Sequence, residues 1–194
     1  MNRIALAGVI LLSLTSCSGV GTRSQPLVIT PTGKDWDVAA SRLRSEEQAA
    51  IRNGFRIVAA PGVAWDGNIY GFRYGPPNGR PIGTERLNLS AICGGYNERF
   101  AARSGSEWRL DSAVTFVDYG ATEGGTQIHT FELHWTLSKA GRMITITTRG
   151  EGPGIKIIWG ASPAAIAAEA NQAFALTFLQ LVLQLENAAL AASR

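Results

Sequence analysis

The stretch QIHTFELHWTLSKAGRMITITTRG, residues 127–150, decides the fold. Its first half alternates between the two faces of an extended chain. One face is largely apolar and comprises His129, Phe131, Leu133, Trp135 and Leu137; the other comprises Ile128, Thr130, Glu132, His134 and Thr136. The segment SKAG at 138–141 has the length of a hairpin loop. The stretch therefore predicts two antiparallel strands, with one face in the core and the other wet or partly covered.

Shorter β-rich segments flank this hairpin. Residues 55–60, 68–74, 108–119 and 155–159 each predict a strand. The segment GPPNGRPIG at 75–83 contains too many turn residues for the interior of an element, so it predicts a loop. Between 84 and 106 the pattern is weak, and it suggests a strand over 87–92 followed by a short helical turn.

A long helix is predicted at the C-terminus. Ser162 and Pro163 suit its N-cap and first helical position, and the helix can run to about Ala192, roughly 45 Å at 1.5 Å per residue. Polar residues such as Glu169 and Gln180 interrupt its apolar runs, which stay far below the ~20 residues of a membrane span. We therefore expect this helix to pack on protein.

Two apolar stripes lie on nearly opposite sides of this helix. The first comprises Phe174, Phe178, Leu181 and Leu185; the second comprises Leu176, Leu179 and Leu183. We expect the first stripe to pack on the chain's own sheet. Two covers stay open for the second: an N-terminal helix of the same chain, through Trp36, Ala40 and Leu43, or a partner protein or second copy. Leu176, Leu179 and Leu183 are thus the candidate partner-binding residues.

The segment KDWDVAASRLRSEEQAAIRNG, residues 34–54, predicts the N-terminal helix. Ser45 begins a possible capping box, so a break there, giving two short helices, is an open alternative. Together these elements predict an α+β fold, with a mainly antiparallel sheet packed against a long C-terminal helix and one N-terminal helix. They form a single domain over residues 34–194.

The start of the chain has the pattern of a secretory signal peptide. Arg3 precedes an apolar run from Ile4 to Leu14 that is too short to span a bilayer. The residues that follow, Leu14-Thr15-Ser16-Cys17, resemble the lipobox of bacterial lipoproteins. That resemblance implies removal of residues 1–16, diacylglycerol on the sulfur of Cys17 and a third acyl chain on its new amino group. Two or three chains anchor a protein stably in a membrane.

Residues 17–33 are expected to form an acylated tether, since they are rich in Gly, Ser, Thr and Pro. An edge strand over 27–30 is an equal alternative. Ser18 stands where inner-membrane lipoproteins tend to carry Asp. The resemblance therefore implies delivery to the periplasmic face of the outer membrane, with the lipid at Cys17 as the membrane contact.

The charge and the cysteine content of the chain bear on nucleic-acid binding and on disulfide formation. Cleavage before Cys17 leaves 178 residues, enough for one domain, with 17 basic and 15 acidic side chains and no basic tract. That balance gives no electrostatic case for nucleic acid as a partner. With Cys17 acylated, Cys93 has no internal disulfide partner, and we expect it to be a buried thiol.

No catalytic motif stands out. The sequence has no G-x-S-x-G elbow, P-loop or G-x-G-x-x-G. His129 and His134 are five residues apart on a predicted strand and point to opposite faces, so they do not chelate one metal unless a bulge intervenes. His129 is expected in the core or at its boundary, and His134 beside Glu132 on a solvated face. We therefore expect a non-catalytic protein without a metal or other cofactor.

The order of elements over about 110–189, a strand, a long hairpin, a glycine-containing turn and a long helix, carries a looser resemblance. Together with a small lipidated N-terminus, it is similar to the lipopolysaccharide-assembly lipoprotein and to the auxiliary lipoproteins of ABC-type transport systems. That resemblance implies an accessory or assembly subunit that binds another envelope protein or itself.

Two other functions stay open. A small envelope hydrolase acting on peptidoglycan requires His134, Glu132 or Cys93 to converge with other groups. A lipid- or glycan-binding lipoprotein requires a concave apolar or aromatic-lined cavity. The alternating aromatic residues Tyr70, Phe72 and Tyr74 are the candidate stacking platform for sugars, with ordinary sheet core as the alternative.

Overall fold

A computed structural model of the chain describes residues 28–52, 54–61, 65–71, 81–84, 86–101, 107–121, 125–156 and 162–192. The lipobox, Cys17 and the tether up to residue 27 lie outside the described residues, as do Phe72 and Tyr74. The helices are α1 (Gly33–Ser41), α2 (Ser45–Ile51), α3 (Leu89–Arg99) and α4 (Pro163–Ala192). The strands are β1 (Val28–Ile29), β2 (Arg56–Ala59), β3 (Trp65–Gly71), β4 (Pro81–Thr84), β5 (Arg86–Leu87), β6 (Glu107–Ala121), β7 (Thr126–Lys139), β8 (Arg142–Glu151) and β9 (Ile155–Lys156).

The main sheet is built on the antiparallel strands β6, β7 and β8. Strands β2 and β3 both run parallel to β6 along its other edge, β4 pairs antiparallel with β3, and β9 pairs with the start of β7. The sheet is therefore mixed, which the alternation patterns did not show. Parallel neighbours need a long crossover between them, and α3 provides it here between β2 or β3 and β6. The predicted α+β class is confirmed.

The apolar face of β7 forms the centre of the core, as predicted. All five of its inward residues are buried, and the rings of Phe131 and Trp135 meet Phe174 and Phe178 of α4 edge to face. The indole N–H of Trp135 donates to the hydroxyl of Thr148 on β8 at 2.7 Å. Helix α4 thus lies across the inner face of β7 and β8.

Helix α4 begins as predicted, with the Ser162 hydroxyl accepting from the main-chain N–H of Ala165 at 3.2 Å. The segment Pro163–Ala189 is long and apolar enough to cross a membrane, by length and composition. However, 61% of its most apolar 18-residue stretch is buried inside the fold. The strands cover one side of α4, and α1 and α2 pack on it as well. The helix is therefore a central element of the fold, contacted by sheet and helices alike.

The N-terminal region corrects two expectations. One N-terminal helix was the main expectation, but the alternative of a break at Ser45 is confirmed. The chain turns at residues 42–44, and Glu47 caps α2 by accepting from the main-chain N–H of Arg44. Ile29 is fully buried in β1, which pairs with β5. Residues 28–33 thus belong to the domain, as the edge-strand alternative proposed, and the domain does not begin at residue 34.

Two other segments were assigned wrongly. The expected strand over 87–92 is in fact the start of α3, whose N-cap Asn88 accepts from the main-chain N–H of Ala91 at 3.0 Å. Two adjacent glycines, Gly94 and Gly95, weakened the helical pattern, since glycine is a poor helix former. Part of the expected loop at 75–83 is ordered as β4, because pairing with β3 outweighs its turn-like composition.

Candidate partner-binding edge

The second stripe of α4 does not form a free surface. Leu176 and Leu179 are 7% and 0% exposed, and Leu183 is half-buried against the core. Because α1 and α2 pack on α4, the chain itself supplies the cover, and Ala40 and Leu43 join the same core. This corrects the candidate partner-binding set: Leu176 and Leu179 are core residues in this fold.

Cys93 is a buried thiol, as expected. It is 2% exposed on α3, and burial raises its pKa from 9.0 to about 12. A thiol with such a pKa stays protonated at neutral pH, and the thiolate is the nucleophilic form. Helix α3 packs on β2, whereas His134 lies on the outer face of β7. The structure therefore places Cys93 and His134 in different parts of the fold.

His129 forms a buried contact with Glu169 that the sequence did not suggest. The carboxylate of Glu169 accepts from the main-chain N–H of His129 at 3.1 Å, and it also contacts the imidazole Nδ1. The main-chain N–H of Gly152 donates to the carbonyl of His129 at 2.9 Å. A Cβ on Gly152 would lie 1.7 Å from Glu169 Oε1, so the Glu169 carboxylate fills the space beside Gly152. The arrangement joins α4, β7 and the end of β8.

The other face of β7 is polar and partly exposed, as predicted. His134 Nε2 lies 3.5 Å from Glu132 Oε1, and the His134 Nδ1 shares a 3.0 Å hydrogen bond with the Thr147 hydroxyl. No group of three or more His, Cys, Asp or Glu side chains suited to a metal occurs among the residues that the structure describes. His134 and Glu132 remain a solvated pair on the outer face.

Strand β8 is the edge of the main sheet in the described structure, where it pairs only with β7. Hydrogen-bonded and non-hydrogen-bonded residue pairs alternate along an antiparallel ladder. The bond from the Gly152 N–H to the His129 carbonyl therefore shows which residues of β8 bond to β7. The even-numbered residues of β8 therefore bond to β7. The odd-numbered residues direct their main-chain N–H and C=O groups away from the sheet: Met143, Thr145, Thr147, Arg149 and Glu151.

Two side chains cover part of this edge. Gln184 of α4 donates to the main-chain carbonyl of Thr147 at 3.2 Å, and the guanidinium of Arg42 donates to the main-chain carbonyl of Glu151. These bonds confirm that the odd-numbered carbonyls face outward. No hydrogen bond reaches the outward main-chain groups of Met143 and Thr145 within the part of the chain that the structure describes. Residues 143–147, from here on the open edge, thus present an unpaired ladder.

The open edge adjoins the β7–β8 turn. Ala140 and Gly141 both have positive φ, 48° and 81°, as tight hairpin turns require. Next to them lies a cavity of about 510 Å³, with Arg109, Arg142 and Met143 among its walls. The Met143 side chain is 69% exposed, which is unusual for so large an apolar group. This end of the sheet therefore combines unpaired main chain with exposed apolar surface.

Sequence reasoning missed the open edge because an edge strand and a central strand of a half-exposed sheet have the same alternation. One signal was available: MITIT at 143–147 lacks the charged or proline residues that commonly protect an edge. This signal is informative only when β8 is known to be the last strand of the sheet. The order of the strands is set by tertiary pairing.

Comparison with known proteins shows only weak similarity to solved structures. No protein-family model matches the sequence, and no curated protein matches it. The crystal structure of protein XCC0632 from Xanthomonas campestris, of the DUF330 family, is similar over 73% of this chain and 96% of that one. The sequence identity is 14% and the TM-score is 0.38. At that level the likeness supports no statement about function.

Proposed function

We propose that this chain is a non-catalytic accessory lipoprotein of the cell envelope, anchored through Cys17 and binding a partner protein. The Leu14-Thr15-Ser16-Cys17 motif after a charged and apolar leader supports the anchor. The outer membrane, on its periplasmic side, is the proposed location, because Ser18 follows the cysteine. The partner is a component of an envelope transport or biogenesis complex.

The observation that carries the partner-binding role is the open edge of β8. Strand addition to an exposed sheet edge is a common mode of protein recognition, in which main-chain hydrogen bonds supply affinity. Met143 and Thr145 offer two N–H donors and two carbonyl acceptors in the spacing of a strand, and the exposed Met143 side chain adds apolar contact. The occupant is therefore an extended segment of the partner protein.

The position of the edge suits a lipid-anchored protein. The main-chain N–H of Thr30 donates to Asn171 in the first half of α4, whereas Glu186 near the other end accepts from the main-chain N–H of Phe55. Phe55 in turn contacts Lys139, at the β7–β8 turn. Asn171 and Glu186 are about 22 Å apart along the helix. The chain thus enters at one end of the domain, and the open edge lies toward the other.

Proline at position 145 tests this proposal. The N–H of Thr145 faces away from β7, so Thr145→Pro removes an outward donor without removing a bond of the sheet. A photo-reactive residue at 143 in the lipidated full-length chain should cross-link one envelope protein, and Thr145→Pro should abolish the cross-link. Thr145→Val, which keeps the N–H, is the matched control.

Two results would overturn strand addition by a partner. One is a cross-link that persists in Thr145→Pro while circular dichroism shows a native fold. The other is a cross-linked product that consists of two copies of this chain, which would make the edge a homodimer contact. A photo-reactive residue at Glu46, an exposed position on α2, supplies the background for cross-linking.

A further inference from the structure

The cavity beside the β7–β8 turn carries more positive than negative charge in its walls. Arg109, Lys139 and Arg142 are wall residues, whereas Glu107 is the acid that the structure describes among them. The volume of about 510 Å³ leaves room for one or two side chains of a bound segment. Such a balance of charge favours a negatively charged group in the cavity.

Two of these charged walls are compensated by neighbours. Arg109 Nε donates to the carboxylate of Asp111 at 2.7 Å. The carboxylate of Glu107 lies 3.8 Å from Arg56 Nε. Each pair joins one cation and one carboxylate, so neither pair adds to the positive charge of the cavity.

Arg142 is the uncompensated cation. Lys139 Nζ lies 5.0 Å and 5.5 Å from the ring centroids of Phe55 and Trp108. Burial raises the pKa of Glu186, and the charge of Lys139 opposes that shift, so these two groups interact. Arg142 is exposed and has no ion pair or hydrogen bond in the part of the chain that the structure describes. Its guanidinium is therefore available to a ligand.

Arg142 directly precedes the open edge of β8. At the far end of that edge, the side chain of Gln184 occupies the outward carbonyl of Thr147. At the near end, Met143 is followed by the turn and the cavity. A segment paired along the open edge is therefore stopped by Gln184 at one end and can run on toward Arg142 at the other. Two further residues in extended conformation cover about 7 Å.

The two faces of the open edge differ in polarity. Ile144 and Ile146 are half-buried and pack against the core, whereas Met143 and Thr145 are exposed on the outer face. Side chains on the same face of neighbouring strands lie about 5 Å apart. A bound segment thus buries aliphatic side chains beside Ile144 and Ile146, and its alternate side chains lie toward solvent.

We propose that the open edge selects an extended segment that has aliphatic residues at alternate positions and an acidic residue at the end that reaches the cavity. This selectivity depends on strand addition, the proposed function of the edge. The acidic side chain pairs with the guanidinium of Arg142, whose planar fork suits a carboxylate. A basic residue at that position would bring like charges together and weaken binding.

The methyl group of Met143 provides a direct test. Met1 is the only other methionine, so the lipidated full-length chain with ¹³C-labelled methionine methyl groups gives at most two signals, and Met143→Leu assigns the relevant one. The probe is a capped peptide with alternating valine and threonine in its centre and two glutamates at each end. In non-ionic detergent at low salt, it should shift the Met143 signal saturably. The same peptide with serines in place of the glutamates should bind about two- to fivefold more weakly.

Arg142→Gln should abolish the difference in affinity between the two peptides. Lys34→Gln is the matched control, since it removes an exposed cation of α1 that does not line the cavity, and it should preserve the difference. Equal affinity of the parent chain for both peptides would overturn the proposed selectivity. So would a difference that persists in Arg142→Gln, one that disappears in Lys34→Gln, or no saturable shift with the glutamate peptide up to about 10 mM.

The envelope cross-link from position 143 answers a separate question. Its absence from the parent chain would refute the partner-binding role. The peptide comparison instead measures the selectivity of the open edge in the purified chain, so the two failures are distinguishable.

Discussion

Glu169 on α4 accepts from the main-chain N–H of His129 on β7 and contacts its imidazole, in the interior of the fold. Removing the carboxylate takes away the acceptor of that main-chain N–H and the group that the imidazole contacts. We expect Glu169→Ala to lower the free energy of unfolding by about 3 kcal/mol, measured by urea denaturation. Glu132→Ala on the outer face should change it by less than about 0.5 kcal/mol. Equal losses in the two variants would contradict a special role for the buried pair.

Leu179 tests whether the second stripe of α4 is core. Because it is fully buried, Leu179→Lys should unfold the isolated domain or lower its melting temperature sharply, since burying an unpaired charge is very costly. Met143→Lys, at a site 69% exposed, is the matched control and should melt close to the parent. A Leu179→Lys domain with an unchanged melting temperature would restore Leu179 to the partner-binding set.

Gly150 of β8 packs closely against α4. A Cβ there would lie 2.4 Å from the Thr177 hydroxyl and 2.9 Å from the Thr177 main-chain nitrogen, and the main chain cannot move aside easily. We expect Gly150→Ala to destabilise the fold by about 1–3 kcal/mol. Gly94→Ala, in open space on α3, should instead stabilise it by about 0.5–1 kcal/mol. Thermal melts that rank the two variants in the opposite order would refute this packing.

Cys93 should react slowly with iodoacetamide in the native state, because its thiol is buried and its pKa is raised to about 12. The raised pKa also couples folding to alkaline pH. Stability from the neutral thiol is fully present below 9.0, the pKa of an unperturbed thiol, and is lost as the pH rises toward about 12. Cys93→Ala should show a smaller loss of stability over that range. Rapid stoichiometric labelling at neutral pH would contradict burial.

Cys17 is the proposed site of acylation. Cys17→Ser should abolish the lipid and processing at that residue, because serine has no thiol to receive diacylglycerol. Mass spectrometry of the protein from the membrane fraction is the measurement, with Cys93→Ser as the control that keeps the lipid. An acylated, membrane-bound Cys17→Ser protein would show that the anchor lies elsewhere.

The sequence predicted the elements whose pattern is local. The face of β7 from His129 to Leu137 is buried at alternate positions, and α4 starts and ends where its capping and apolar pattern indicated. These predictions succeeded because strand alternation and helix capping depend on neighbouring residues.

Properties that depend on distant contacts were not predictable. Helix α3 was missed because Gly94 and Gly95 weaken its helical pattern. A side chain at position 95 would come close to Trp36, which is 59 positions away in the sequence. The pairing of Glu169 with His129 spans 40 residues. The edge position of β8 likewise depends on the order of strands, which the composition of MITIT at 143–147 does not reveal by itself.

The bond between Thr30 and Asn171 bears on how a pull from the N-terminal side would enter the domain. A pull on the N-terminal side of the chain first meets Ile29, which is buried, and Thr30, which is fastened to α4. Gln172 adds a second fastening through Asp35 at 3.3 Å. Tension therefore passes into the long central helix, while the β7–β8 turn stays outside the path of the force. We therefore expect such a pull to load α4 before it reaches the β7–β8 hairpin.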